Sequence, residues 1–291
     1  MLSRRSFLAT SASGILAAAS RLDAKGTVHA GCQTNAWAIN PSDFSFLLTV
    51  LGKIKGLGFE GFETGFRNVE RQFSDPAGAR AHIEKTGLQF FGVHIFLGDK
   101  YDPQTSIPPI DLIAKVAKGG AKLGAQRVIV SGAPVTLQGK INAKALRRKV
   151  AGMNAAGSHC RKNKLAFCYH NHSPEFMAGG AEIQELAQRT NAGLVDFLID
   201  AGHAYQAHGN VISFFARYAS RIVGLHLRDS KQGEEVPLGQ GEFDYHALAE
   251  AVHTAGWTGW VLAEEERLSG AKLGESAVGP AREYIRRVFG V

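Results

Sequence analysis

Leu165-Ala166-Phe167-Cys168-Tyr169-His170-Asn171-His172-Ser173-Pro174-Glu175-Phe176 is a short apolar run that ends in two histidines, an amide and a carboxylate. Its first residues have the length and composition of a buried strand. Ser173-Pro174 ends the extended run, because proline cannot donate to a central ladder. Two histidines one residue apart project to the same side while the chain stays extended, so they can share one metal ion or one substrate. A strand that stops in polar groups reads as the mouth of an active site. A polar surface loop is the bland alternative, and it weakens because later segments repeat the design.

Seven further apolar or β-branched runs accompany this one: His29–Cys32, Gly61–Thr64, Leu88–His94, Arg127–Ser131, Asp196–Asp200, Ile222–Leu227 and Trp260–Glu264. Their spacing is roughly 33 residues, the length of one βα unit. Between them lie segments with helical spacing, such as Phe46, Leu47, Val50, Leu51, Ile54 and Leu57. Others run over Ile110–Leu123, Ala143–His159, Glu182–Arg189, Tyr245–Ala255 and Ala277–Phe289. Eight alternations of strand and helix predict an α/β protein built as a single (β/α)8 TIM barrel over residues 25–291. An open doubly wound sheet would usually carry a Gly-rich phosphate loop after its first strand, and Gly31-Cys32-Gln33-Thr34-Asn35 is no such loop.

The 291 residues, 45% hydrophobic and 20% charged, suit a large globular core. Ser3-Arg4-Arg5-Ser6-Phe7-Leu8 followed by a mildly apolar run to Ala19 predicts a twin-arginine signal peptide over residues 1–24. The expected location is therefore periplasmic or otherwise exported, with no stable membrane anchor, since the run is too short to span a bilayer. Three cysteines, Cys32, Cys160 and Cys168, do not make a disulfide framework. The formal charge of +7 is scattered over helix flanks such as Arg147-Arg148-Lys149, which excludes a nucleic-acid stripe. Self-association into a homo-oligomer is left open.

In a barrel, chemistry sits at the C-terminal ends of the strands. Six of the eight predicted strands end in ionisable groups: Glu63, His94, the His170-Asn171-His172 stretch, Asp200, His226 with Arg228, and Glu264. Asp200, His226 and Glu264 come from neighbouring strands and suit a divalent metal with mixed nitrogen and oxygen ligands, whether manganese, zinc, cobalt or iron. A fourth ligand would come from strand five: His172, His170 or Glu175. Each has a bland alternative, such as Asp200 capping the helix that follows it.

These residues resemble the sugar phosphate isomerase/epimerase family, the xylose-isomerase-like barrels. The resemblance spans nearly the whole chain after the signal. It rests on Gly61-Phe62-Glu63, Tyr169-His170-Asn171-His172 with Glu175-Phe176, Asp200-Ala201-Gly202-His203, His226-Leu227-Arg228-Asp229, and Gly256-Trp257-Thr258-Gly259 before Glu264. It implies metal ligands at Asp200, His226 and Glu264. The family's strand-five glutamate aligns with Tyr169, leaving His172 as the expected ligand and Glu175 as the alternative. It further implies a small-molecule sugar substrate, an enediolate stabilised by the metal, and a base, Glu175 or a histidine such as His170. His203 and His94 would touch substrate oxygens, with Glu63 and Arg228 as further substrate-binding residues, and Trp37, Phe66 and Phe96 as apolar walls. Returning the proton gives isomerisation or epimerisation. Expelling a β-substituent, as from a 3-keto-glycoside, gives elimination. A non-catalytic sugar-binding barrel is the reading from another class.

Overall fold

The computed structural model describes residues 26–266 and 270–291. Eight parallel strands close a barrel in sequence order. They are β1 (Val28–Gln33), β2 (Gly61–Gly65), β3 (Gln89–Ile95), β4 (Arg127–Val130), β5 (Ala166–His170), β6 (Asp196–Asp200), β7 (Ile222–Leu227) and β8 (Gly259–Ala263). β8 pairs with β1, Val28 opposite Gly259, which closes the ring. The expected barrel is therefore present. The twin-arginine segment lies outside the described residues. Among the described residues no helix is long and apolar enough to cross a membrane.

The helices form the outer layer: α1 (Phe44–Gly56), α2 (Pro76–Lys85), α3 (Ile110–Leu123), α4 (Ala143–Lys162), α5 (Ser173–Arg189), α6 (Ala201–Gln206), α7 (Val211–Tyr218), α8 (Tyr245–Thr254) and α9 (Glu275–Phe289). Each turns an apolar stripe inward. On α3, Ile113, Val116, Ala117, Gly120 and Leu123 are buried at helical spacing. The predicted helix from Glu182 is only the second half of α5. The first turn starts at Ser173, and the helix is broken at Met177–Gly180, where Ala178, Gly179 and Gly180 are left-handed. Two short hairpins, Thr136–Leu137 with Lys140–Ile141 and Asp229–Lys231 with Glu234–Val236, stand apart from the barrel.

Inside the barrel, Phe91, Ile129, Cys168, Leu198, Trp260 and Leu262 form a core separate from the larger one between strands and helices. This interior layer is a packed plug, not a pore. Gly224 belongs to it by having no side chain: a Cβ there would lie 2.7 Å from Leu198 Cδ1. The pairing of β2 with β3 jumps from Phe62↔Phe90 to Glu63↔Gly92, so Phe91 is an extra residue. That bulge lets Phe91 enter the plug while His94, three residues on, still faces the barrel axis. Strict alternation would send them to opposite faces.

Candidate metal centre

Above the plug, the C-terminal ends of four consecutive strands converge. His170 is the last residue of β5, Asp200 the last of β6, His226 the penultimate residue of β7, and Glu264 directly follows β8. All four are buried, and one donor atom from each lies within 4.8 Å of the others. His170 Nε2 is 3.0 Å from His226 Nδ1 and 3.7 Å from Asp200 Oδ2. His226 Nδ1 is 2.5 Å from Glu264 Oε2.

Asp200 Oδ2 and Glu264 Oε2 are buried and make no well-aligned hydrogen bond, the latter having only the His226 ring beside it at 2.5 Å. Buried carboxylate oxygens without well-aligned hydrogen bonds are costly, so their convergence is the mark of a cation site. Arg228 offers only partial compensation. Its Nε lies 3.1 Å from Asp200 Oδ2 without hydrogen-bond alignment, and its Nη2 lies 3.4 Å from Glu264 Oε1. The donor separations bracket the roughly 3.4 Å expected between ligands about 2.1 Å from a tetrahedral ion. Two imidazoles and two carboxylates therefore fit a divalent cation.

The local sequence explains how each donor is aimed. Asp200 divides its two oxygens. Oδ1 accepts from His203 N at 2.8 Å and caps α6, while Oδ2 stays with the cluster. The capping alternative therefore holds for Oδ1 and leaves Oδ2 available for the expected ligand role. Asn171 ties β5 to β6 by a reciprocal pair, donating to Asp200 O and accepting from Asp200 N. Gly202 lets Arg228 pass, since a Cβ there would lie 2.4 Å from Arg228 Cγ.

Electrostatics separate the two cluster histidines. Burial drives His170 well below the usual imidazole range, helped by His226 and His94. Burial acts the same way on His226, but Glu264 and Glu63 outweigh it and raise that ring well above the range. For Glu264, burial is outweighed by His226 and Arg228, which hold it well below the carboxylate range. Burial is likewise outweighed at Asp200 by His203, Arg228 and His226, so that carboxyl is lowered too. The site is thus anionic wherever a ring is neutral, and a cation would replace the His226 proton.

A cavity of about 300 Å³ opens over the cluster and is lined by His94, His170, His172, His203, Arg228 and Glu264, with Phe66 and Phe96 among its apolar residues. His172 does not join the donor group. β5 ends at His170, so His172 sits one step above it, with ring centroids 5.3 Å apart. The strand-five member of the converging group is His170, not the expected His172. Burial pushes His172 down to about 3, so the ring is neutral. His203 stands beside it, ring centroids 5.0 Å apart. Trp37 does not line the cavity.

Glu175 is the second correction. It is fully buried on the outer side of β5, away from the cavity. Its Oε1 accepts from Tyr169 Oη at 2.6 Å and its Oε2 from His172 N at 3.1 Å. Lys149 Nζ lies 3.6 Å away, donates to Glu182 Oε1 at 2.7 Å, and sits over the Tyr169 ring. Glu182 Oε2 in turn accepts from Val135 N, Thr136 N and Thr136 Oγ1. Burial raises the Glu175 carboxyl above its ordinary value, with Lys149 pulling the other way. This carboxylate clamps β5 to α4 and α5 and does not line the cavity.

Glu63 is the third correction. It does not line the cavity but lies beneath His226. Its Oε2 accepts from His226 Nε2 and its Oε1 from His94 Nδ1, each at 2.8 Å. His94 Nε2 lies 3.0 Å from Ser131 Oγ, which is 3.4 Å from His170 Nδ1. The sequence reading missed Ser131 because the hydroxyl is not ionisable, although it stands at the end of a predicted strand.

Comparison with known proteins agrees with this architecture. An inosose dehydratase from Lacticaseibacillus casei is 26% identical over 140 residues, covering 41% of this chain and 47% of that protein. The chain thus spans about half the length of the curated relatives it matches. Among solved structures, the IOLI protein with a bound zinc atom superposes with a TM-score of 0.74 at 16% identity, covering 90% of this chain and 98% of that one. A 3-keto-D-glucoside 4-epimerase from E. coli gives 0.63 at 16% identity, covering 88% and 100%. A model of the xylose isomerase-like TIM barrel matches residues 51–288. The chain therefore belongs to the xylose isomerase-like TIM-barrel family.

Proposed function

We propose that the protein is a divalent-metal-dependent enzyme that moves a proton on the carbon next to a sugar carbonyl, as a sugar isomerase or epimerase does. The observation that carries this reading is the convergence of two buried carboxylates, neither with a well-aligned hydrogen bond to its inner oxygen, with two imidazoles under an open cavity. His170, Asp200, His226 and Glu264 would hold the cation, which would supply Lewis-acid polarisation of the carbonyl and its neighbouring hydroxyl. His172, half-buried and neutral, lines the cavity and would take the proton, and His203 beside it can hold or return one. Arg228 presents a guanidinium at the wall, where it orients substrate oxygens and balances Asp200 and Glu264.

A second reading, elimination from a keto sugar or 3-keto-glycoside, is favoured by one observation. His172 and His203 are side by side rather than opposed, and Glu175, the carboxylate a two-glutamate epimerase would use, is committed to Tyr169 and Lys149. Proton transfer on one face suits isomerisation or loss of a β-substituent better than inversion. Similarity to inosose dehydratases supports the same view. Metal analysis followed by incubation with free ketoses and 3-keto-glycosides in deuterated water tests both. Interconversion with exchange supports the isomerase, and aglycone release selects elimination. Metal-loaded protein that does neither refutes both. The twin-arginine segment supports export, which sequencing of the mature N-terminus from a periplasmic fraction tests.

A further inference from the structure

The contacts around the cluster form a closed ring whose hydrogen-bond directions are forced. Each oxygen of Glu63 lies 2.8 Å from one imidazole nitrogen, Oε2 from His226 Nε2 and Oε1 from His94 Nδ1, and a carboxylate only accepts, so both histidines donate to it. With a cation bound, His226 keeps its proton on Nε2, and the proton on Nδ1, 2.5 Å from Glu264 Oε2, is the one the cation would displace. His94 carries its proton on Nδ1, which leaves Nε2 as an acceptor. Ser131 Oγ, 3.0 Å away, donates to that nitrogen and keeps its own lone pairs for the Nδ1–H of His170 at 3.4 Å. His170 therefore presents an Nε2 lone pair to His226, Asp200 and Glu264. The links to Glu63 and Ser131 run in the direction that leaves His170 Nε2 and, once its second proton is displaced, His226 Nδ1 to the cation; the 3.0 Å contact between these two nitrogens closes the ring. Reversing any link would put a proton on a nitrogen that faces the cluster.

We propose that Glu63, His94 and Ser131 are positioning residues of the cation site: their ring of hydrogen bonds with His170 and His226 locks both imidazoles in the metal-binding tautomer. The inference rests on the metal-centre reading above. Outer partners of this kind orient ligand imidazoles and raise their basicity. Here one carboxylate serves two rings, and a third histidine carries the effect to a serine that follows β4, beside the strand of His170. His94 thereby changes role, from a group that touches substrate to one whose two nitrogens are both committed.

The test uses the full chain with zinc ion alone as the probe. Affinity is read by competition with a chromophoric chelator. Imidazole tautomers are read by nitrogen-15 NMR of the zinc-loaded protein. Glu63→Gln and Ser131→Ala should each weaken zinc by roughly 10- to 100-fold. Tyr169→Phe, which removes a buried hydrogen bond on the outer side of β5, should leave zinc affinity unchanged. In the wild type His94 and His170 should carry protons on Nδ1 and His226 on Nε2. If Glu63→Gln fails to fold, Ser131→Ala and the tautomers decide alone. A His94 proton on Nε2, or zinc binding in Ser131→Ala equal to wild type, overturns the ring. A wild-type chain that takes up no zinc overturns the metal centre as well, which separates the two failures.

Discussion

Lys149→Met should destabilise the barrel without touching the chemistry. Lys149 is fully buried, and its ammonium is the positive partner of two fully buried carboxylates, Glu182 at 2.7 Å and Glu175 at 3.6 Å. It also donates to Ala133 O at 2.9 Å. Methionine fills similar space but leaves Glu182 Oε1 without its charge partner. Breaking a buried pair by removing one member costs about 3–5 kcal/mol. With an unfolding entropy of about 2.1 cal/mol/K per residue over roughly 265 residues, that lowers Tm by about 5–9 °C. Thermal melting monitored by circular dichroism measures it. The double variant Lys149→Met/Glu182→Gln, which removes the stranded charge, should recover at least half of the loss. A Tm within about 1 °C of wild type for the single variant, or no recovery in the double, would refute the assignment of this cluster as a charge-balanced clamp.

Glu175→Gln should keep turnover within a factor of a few, whereas loss of a general base costs roughly 10²–10⁴-fold. Because burial holds this carboxyl above its ordinary value of 4.5, the folded chain binds more protons than the unfolded one between the two values. Wild-type stability therefore falls as pH rises through that window, and Glu175→Gln should narrow or reverse its deficit there, as denaturant melts at pH 4 and pH 8 would show. His170→Ala should abolish metal uptake, while His172→Ala should retain the metal and lose turnover by roughly 10²–10⁴-fold; elemental analysis beside kinetics distinguishes them, and metal loss in His172→Ala would sink the ligand assignment. Phe96 is 56% exposed at the cavity rim, its ring 5.4 Å from that of His172. Phe96→Ala should raise KM for glycosides with an aromatic aglycone about 2- to 10-fold, the value of one ring contact, and leave free monosaccharides unaffected.

The barrel was legible because each βα unit repeats a strong signal: an apolar run, a polar end, a helical stripe. Asp200, His226 and Glu264 follow from that repeat, since each stands at or next to a strand end. Strand five was harder. Choosing His172 over His170 depended on where extension stops, and Ser173-Pro174 marks the helix start, not the last ladder residue. Glu175 carried a readable local signal that pointed elsewhere. It is three residues beyond His172, with proline between, the spacing of a carboxylate that turns back to a helix N-terminus. Lys149 was readable too, lying on the same helical face as the buried Leu146 and Met153. Its partner Glu182, 33 positions away, was not, because only the folded α4 and α5 bring them together. The broken start of α5 was hidden for a similar reason: Ala178 adopts a left-handed backbone that its residue type disfavours.

The plug of Phe91, Ile129, Leu198 and Leu262 seals the barrel beneath the cluster. Asp200 and His226 have no exposure of their own, so on the proposed reading an ion and a sugar would share a doorway at the strand ends. Traffic through one doorway is sequential: the ion must arrive first and leave last. A sugar seated above it acts as a stopper, and a chelator should strip metal from the empty enzyme far faster than from enzyme saturated with a tight-binding sugar analogue.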